Sequence, residues 1–156
     1  SMTVLSSSPG LSVGVITFYA AQRKEIQKAM EASDLTESDG DGGYRVRDQW
    51  RLTPDGRERL RIGTVDSFQG KEFDVVFLSL TRSNRLAVSN EATRRGRYGF
   101  LLLENRLCVA MSRQKRLLVA VGDLAMVTGP DAEQSVPGLV AFRQLCEGPH
   151  GIIIRP

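Results

Sequence analysis

Short, continuous apolar runs rich in β-branched residues are the feature that most limits the folds open to this chain of 156 residues. The runs lie at Val13–Thr17, Arg61–Val65, Val75–Leu80 and Arg116–Gly122. Runs of this length without polar alternation are typical of strands that are covered on both faces. Stretches with helical periodicity, over 20–33 and 102–113, alternate with them. The alternation predicts an α/β fold of three layers, with a mostly parallel sheet and helices on both faces.

The segments outside these runs predict a lead-in followed by one domain. The Ser-Met start and the Ser-rich stretch after it predict a vector-derived tag and a loose lead-in over residues 1–12. Residues 13–156 then form the domain, which we expect to end in a helix near Leu139–Leu145 and a strand at Gly151–Ile154.

Residues 34–60 interrupt the alternation. They are polar and rich in Gly and Asp, and then strongly charged, which predicts a loop followed by a hairpin, or a flexible insertion, with Trp50 as its anchor. Two interpretations of the charged stretch remain open. It is either a solvated hairpin face or a surface for a specific partner.

Charge and composition narrow the chemistry. The net charge is +3, and 17 of the 21 basic residues are arginine. Arginine suits phosphate because its planar fork makes two hydrogen bonds at once, although a GC-rich genome gives the same excess. Cys108 and Cys146 have no CxxC spacing and His150 is the sole histidine, which excludes a recognisable zinc site and a histidine-centred catalytic triad. We expect no metal ligands, and no apolar run approaches the roughly 18 residues of a membrane span.

Two of the apolar runs lead into polar residues. The first runs into Thr17 and Tyr19 just before a predicted helix, where free backbone amides favour a phosphate. The second leads from Thr64 through Gly70 to Glu72, a loop suited to a phosphate on one side and a ribose hydroxyl on the other. We expect both at the carboxyl edge of the sheet. A helix cap at Thr17 and an ordinary capped turn, with Asp66 or Ser67 as N-cap, also account for these residues.

The third segment places Arg113 at the end of a predicted helix, just before a buried strand. A fixed, permanently charged arginine is what stabilises the transition state of phosphoryl transfer. A solvated arginine at the end of a helix, favoured by the helix dipole, is the alternative.

Taken in order, these segments resemble the C-terminal motor domain of superfamily 1 helicases, in the 5′-to-3′ branch that includes the nonsense-mediated-decay helicase. GVITFYAAQ at 14–22 resembles G-I/V-I-T-P-Y-x-x-Q, and TVDSFQGKEFD at 64–74 resembles T-V-D-x-F-Q-G-x-E-x-D. NRLCVAMSRQK at 105–115 resembles R-R-L-N-V-A-L/M-S/T-R-A-K. The similarity extends over about residues 13–123 and implies a RecA-like fold.

The resemblance also implies roles in nucleotide binding. Arg113 would be the arginine finger, and Gln69, Gly70 and Glu72 would contact the nucleotide. ATP with Mg²⁺ would be bound mainly by a first motor domain of the same polypeptide, because no G-x-x-x-x-G-K-S/T phosphate loop and no acidic Mg²⁺-binding strand motif occurs here. The fragment alone would therefore be inactive as an ATPase.

The remaining motif residues are implied to act on nucleic acid. Thr17, Tyr19 and Thr64 would contact single-stranded DNA or RNA, and Arg82 would couple that track to the ATP cleft. The parent protein would be cytoplasmic, or nuclear in a eukaryote, with no membrane partner.

The sequence departs from the family pattern at positions that include Phe18, Asn105 and Cys108. Phe18 stands for the usual Pro, Asn105 for Arg and Cys108 for Asn. The substitution at Phe18 and the basic segment 94–97 favour an alternative, a binding module on a RecA-like fold that holds nucleic acid or protein without a working motor.

Overall fold

A computed structural model describes residues 2–155. The chain divides into two compact units. The first unit contains the residues up to Leu80 together with Cys108–Val121, and the second contains Thr81–Leu107 and the residues from Gly122 onward. Within the described range, no helix combines the length and the apolar character that crossing a bilayer requires.

A four-stranded parallel sheet forms the centre of the first unit. Its strands are β1 (Val13–Thr17), β4 (Leu60–Thr64), β5 (Phe73–Ser79) and β6 (Gln114–Val121), in the order β4-β1-β5-β6. All five residues of β1 are buried, so this strand is covered on both faces. The predicted α/β fold with a mostly parallel sheet is confirmed, and the four strands predicted between residues 13 and 122 match β1, β4, β5 and β6 to within two residues.

The helices are α1 (Met2–Ser7), α2 (Ala20–Glu31), α3 (Glu91–Tyr98), α4 (Glu104–Met111), α5 (Pro130–Ser135) and α6 (Pro137–Cys146). Helices were predicted over 20–33, over 102–113 and near Leu139–Leu145, where the structure has α2, α4 and α6, whereas the other three helices in the described range were not predicted. Single 3₁₀ turns occur at Asp48–Trp50, Val65–Phe68, Gly99–Leu102 and Leu124–Val127.

The two ends of the chain differ from expectation. Helix α1 occupies residues for which we predicted a loose lead-in, because Leu5 is fully buried among Val13, Val15 and other core residues and fixes the segment on the sheet. The strand predicted at Gly151–Ile154 is wrong. Ile152 and Ile154 are 75% and 82% exposed, and an apolar run does not form a strand without a neighbour to pair with.

The insertion is a folded hairpin. Strands β2 (Thr36–Ser38) and β3 (Tyr44–Val46) pair in antiparallel register, so the hairpin lies in the polar stretch for which we predicted a loop, and the Gly- and Asp-rich residues 39–43 form its turn. The Thr36 hydroxyl donates to the carbonyl of Gln27 in α2 at 2.6 Å, and the Gln27 amide donates to the Tyr44 carbonyl at 3.2 Å. These bonds fix the hairpin to α2.

Trp50 anchors the end of the insertion, as predicted. Its indole packs against the core cluster and donates to the Asp34 carbonyl at 2.9 Å. The Arg59 guanidinium lies 4.8 Å from the centre of the ring and donates to the Leu5 carbonyl at 2.6 Å. Arg59 therefore joins α1 to the end of the insertion.

The second unit uses its basic segment internally. Arg94 donates to the Ser135 hydroxyl at 3.1 Å and to the Gln134 carbonyl at 3.2 Å. Arg97, whose side chain is only 15% exposed, bonds to Asp131 at 3.3 Å. The segment thus ties α3 to α5, and these two arginines are packed inside the unit.

Candidate functional site

Three hydroxyl-bearing residues form a row at the carboxyl edge of the sheet. Thr17 at the end of β1 is in register with Thr64 at the end of β4 on one side and with Ser79 at the end of β5 on the other. Because adjacent strands lie about 4.8 Å apart and residues in register point to the same face, the row extends over roughly 10 Å. The sequence singled out the two threonines but not Ser79, whose only signal is a polar residue at the end of an apolar run.

Exposure differs along this row. Thr17 is fully buried in the central strand, whereas Thr64 and Ser79 are half-exposed. Helix α2 begins at Ala20 with Tyr19 as its N-cap residue, so Thr17 is not the cap that our alternative interpretation assigned to it. Tyr19 is half-exposed beside the row.

The chain does not stay at this edge after Thr64. The 3₁₀ turn Val65–Phe68 crosses the sheet, and Phe68 packs on Gly14 of β1. A side chain at Gly14 would lie 2.8 Å from the Phe68 ring, so the missing side chain makes the crossing possible. Thr64 is the N-cap residue of this turn, and the N-cap predicted at Asp66 or Ser67 is wrong.

Gln69, Gly70 and Glu72 consequently lie at the amino edge of the sheet. Glu72 directly precedes Phe73, the first residue of β5, and all three residues are exposed. This corrects our expectation that the whole segment from Thr64 to Glu72 sits at the carboxyl edge. Gly70 has a φ of +73°, in the left-handed region that favours glycine, which explains a glycine here although the space around it is open.

Arg113 lies at the same edge. It follows α4 and directly precedes β6, as the sequence predicted. Its carbonyl accepts a hydrogen bond from the Phe73 amide at 2.9 Å, which holds it next to Glu72. Its Nη2 donates to the Ser112 hydroxyl at 2.8 Å, while its Nε is buried and has no hydrogen-bond partner among the described residues.

Asp74, the second residue of β5, holds the start of this strand in place. Its carboxylate is buried and accepts hydrogen bonds from the Ser12 amide and hydroxyl, both at 2.9 Å. Burial acts to raise the pKa of Asp74, but the two bonds from Ser12 and the charges of Arg116 and Arg57, at 3.3 and 3.8 Å, lower it below its ordinary value. The carboxylate is therefore charged at neutral pH and holds the strand in place.

Arg82 lies in the second unit. Its Nη1 donates to the Gly96 carbonyl of α3 at 2.9 Å. The preceding residue, Thr81, has a φ of +55°, which a β-branched residue rarely adopts. Strained backbone of this kind is concentrated at functional sites, and no local feature of the sequence indicates it.

The order of these motifs matches a known family. The sequence profile described as an AAA domain matches residues 3–125. The chain belongs to this family.

Relatives of this AAA domain include named helicases. The chain is 36% identical over 119 residues to the DNA polymerase alpha-associated DNA helicase A of Saccharomyces cerevisiae. The alignment covers 76% of this chain and 13% of that protein. It is 32% identical over 116 residues to the putative helicase MOV-10 of Gallus gallus, covering 74% of this chain and 10% of that protein. The resemblance to superfamily 1 helicases is confirmed, and the chain spans about one eighth or less of the length of these relatives.

A solved structure is also similar. The C-terminal domain of a possible DNA helicase from Lactobacillus plantarum WCFS1 aligns with a TM-score of 0.46 and 18% identity, over 88% of this chain and 70% of that one.

The residues of this AAA domain fit a nucleotide only in part. Arg113 has the permanent charge that a phosphate requires, and the exposed carboxylate of Glu72 suits a ribose hydroxyl. Residues 2–155 contain no cluster of three or more His, Cys, Asp or Glu side chains that could hold a metal ion by themselves.

Proposed function

We propose that this chain is the C-terminal motor domain of an ATP-dependent DNA or RNA helicase, and that Arg113 is its arginine finger. The observation that carries the proposal is the hydrogen bond between the Phe73 amide and the Arg113 carbonyl. It fixes the Gln69–Glu72 loop and the arginine at one edge of the sheet, although 40 residues separate Phe73 from Arg113 in sequence.

Arg113 has the properties that the role requires. Its guanidinium stays charged at every physiological pH, and its position between α4 and β6 restricts its backbone. A donor that is already in place costs no reorganisation when negative charge develops on a phosphoryl group. Bound ATP supplies the phosphoanhydride whose cleavage drives the motor. The chain would contribute the finger, with Gln69, Gly70 and Glu72 contacting the nucleotide.

Nucleic acid would bind at the opposite edge. Thr64 and Tyr19, both half-exposed, offer hydroxyl groups to a phosphate backbone, and Thr17 supports the row from its buried position. Arg82, on the second unit, would couple this track to the ATP cleft. Strand β1 alone gives the sheet a length on the order of 17 Å, so the two proposed contacts lie at opposite ends of one rigid element.

A first motor domain of the same polypeptide would complete the site. It would supply the phosphate loop and the Mg²⁺ ligands, and without it the isolated chain would not hydrolyse ATP. The alternative of a binding module keeps only Arg95 as an exposed cation of its basic segment, because Arg94 and Arg97 are engaged inside the second unit.

The test is ATP hydrolysis by the complete polypeptide, with and without single-stranded DNA or RNA. Arg113→Ala should lower the rate by about three to five orders of magnitude, the usual effect of losing an arginine finger. Arg95→Ala is the matched control, since the Arg95 side chain is 75% exposed and pairs with Glu91 on its own helix. Turnover that survives Arg113→Ala contradicts the finger role. Absence of turnover in the unaltered protein favours the binding module, and the stronger stimulating strand identifies the substrate.

A further inference from the structure

We propose that the hairpin insertion and strand β4 form a second contact surface for the phosphate backbone of a single-stranded nucleic acid, which extends the track at Thr64. This inference rests on the proposed function. The surface, called here the insertion groove, is a depression of about 690 Å³ between the insertion and the sheet edge. Its charged lining consists of Arg45, Arg51, Arg61, Lys71 and Glu58.

The groove carries an excess of positive charge. Four cationic side chains line it, two of them paired with Glu37 and Asp48 outside the lining, and the lining itself contains one carboxylate. That carboxylate, Glu58, is shared by Arg61 at 2.7 Å and Lys71 at 2.9 Å, so two cations have one anion between them. A polyanion therefore finds a favourable potential along the groove.

The two cations of the insertion are available for exchange. Arg45 pairs with Glu37 at 2.7 Å and Arg51 pairs with Asp48 at 3.1 Å, and the two arginine side chains are 60% and 63% exposed. Ion pairs at such exposure contribute little stability, so a phosphate replaces the carboxylate at small cost. The arginine fork matches two phosphate oxygens, which favours nucleic acid as the ligand.

The wall of the groove is held in place. Bonds from Thr36 and Gln27 fix the hairpin to α2, and the Trp50 indole bonds to the Asp34 carbonyl. A fixed wall keeps its arginines in position before a ligand arrives, which reduces the entropy lost on binding.

The groove is continuous with the proposed track. Ile62 contributes to its lining, and Thr64 lies two residues further along the same strand. Two residues of a strand correspond to about 7 Å. A nucleic acid bound at Thr64 and following the outer edge of β4 therefore reaches the arginines of the insertion.

The experiment measures binding of fluorescein-labelled oligothymidylate and oligouridylate, of about 6 and about 20 nucleotides, to the complete polypeptide, because single-strand sites vary widely in length. The groove variant is Arg45→Glu with Arg51→Glu. The control, Arg95→Glu with Arg155→Glu, changes the net charge equally at exposed positions of the second unit. A third variant, Arg45→Lys with Arg51→Lys, retains the charge.

We expect the groove variant to bind the 20-mer about tenfold more weakly near 0.1 M salt, with a log–log salt slope smaller by about 1.4 for two lost contacts. Its binding to the 6-mer should match that of the unaltered protein, and the lysine variant should recover most of the affinity for the 20-mer. An unchanged thermal unfolding midpoint shows that the fold is intact.

If the groove variant and the control bind the 20-mer with equal affinity, the insertion groove is not a nucleic-acid surface. If all variants still bind the 6-mer, the proposed function is not affected by that result. Failure of the unaltered protein to bind either oligonucleotide overturns the proposed strand track itself, and the groove with it.

Discussion

The Phe68 ring lies against the backbone of Gly14, where an added methyl group would come within 2.8 Å of the ring. A methyl group added at Gly14 would also contact the ring of Phe73, whose centre is 5.4 Å from that of the Phe68 ring. This contact is where the chain crosses the sheet between the proposed nucleic-acid edge and the proposed nucleotide edge.

Gly14→Ala should destabilise the domain by about 1–3 kcal/mol, because a methyl group forced into a packed core displaces its neighbours. The free energy of unfolding from urea titration measures the effect. Gly10→Ala is the matched control, since no described atom beyond its two chain neighbours lies within 4 Å of the added carbon. Equal stability of the two variants would show that the crossing has room to shift.

Gly70→Ala should reduce ATP turnover of the complete polypeptide, because alanine pays about 1–2 kcal/mol in the left-handed conformation and shifts the loop that precedes Glu72. Gly56→Ala introduces the same strain, at a φ of +81°, but within the insertion. We expect both variants to lose similar stability in thermal unfolding and only Gly70→Ala to lose turnover. A loss of turnover in both would assign the effect to stability alone.

Asp74 should make stability depend on pH on the acid side. Its folded-state pKa is lowered from the ordinary 3.8, so the charged carboxylate stabilises the fold above that value, and the stabilisation is lost as the pH falls through the lowered pKa. Asp74→Asn should lower stability at neutral pH and flatten its decline below about pH 4. Urea unfolding from acid to neutral pH tests this, with the exposed Asp41→Asn as control. Parallel curves for the unaltered protein and Asp74→Asn would contradict the assignment.

Trp50, the only tryptophan, should report whether the insertion unfolds with the sheet. Its ring packs on the core, so its fluorescence and the far-ultraviolet circular dichroism should show unfolding transitions with the same midpoint urea concentration. Arg59→Met removes the bonds to the carbonyls of Leu5 and Gln49 and should lower that concentration, costing about 2 kcal/mol. Separate fluorescence and circular dichroism transitions in the unaltered protein would mean that the insertion unfolds independently of the sheet.

The order of strands and the positions of the motifs could be predicted because apolar runs and motif residues are local properties of the sequence. The position of Glu72 could not, since it depends on Phe68 finding a path over Gly14, a contact between residues 54 positions apart. The buried Leu5 and the exposed Ile152 were misjudged for the same reason. Burial is decided by partners distant in the chain, and composition does not identify them.

Candidate residues of the site were found where a chemical type stood out, as with Arg113 and Gly70. Ser79 and Thr81 were missed. The first becomes notable only when strand register places it beside Thr17, and the second only through its backbone angle.

The segment between Thr64 and Phe73, which crosses the sheet, also has a fixed length. It leaves Thr64 at one edge and must reach Phe73 at the other, and it is held midway by Phe68. An added residue changes the spacing between Phe68 and one of the two ends, and so displaces either the hydroxyl row or the loop before Glu72. Insertions and deletions should therefore be excluded between 64 and 73, while the hairpin turn between β2 and β3 accepts them.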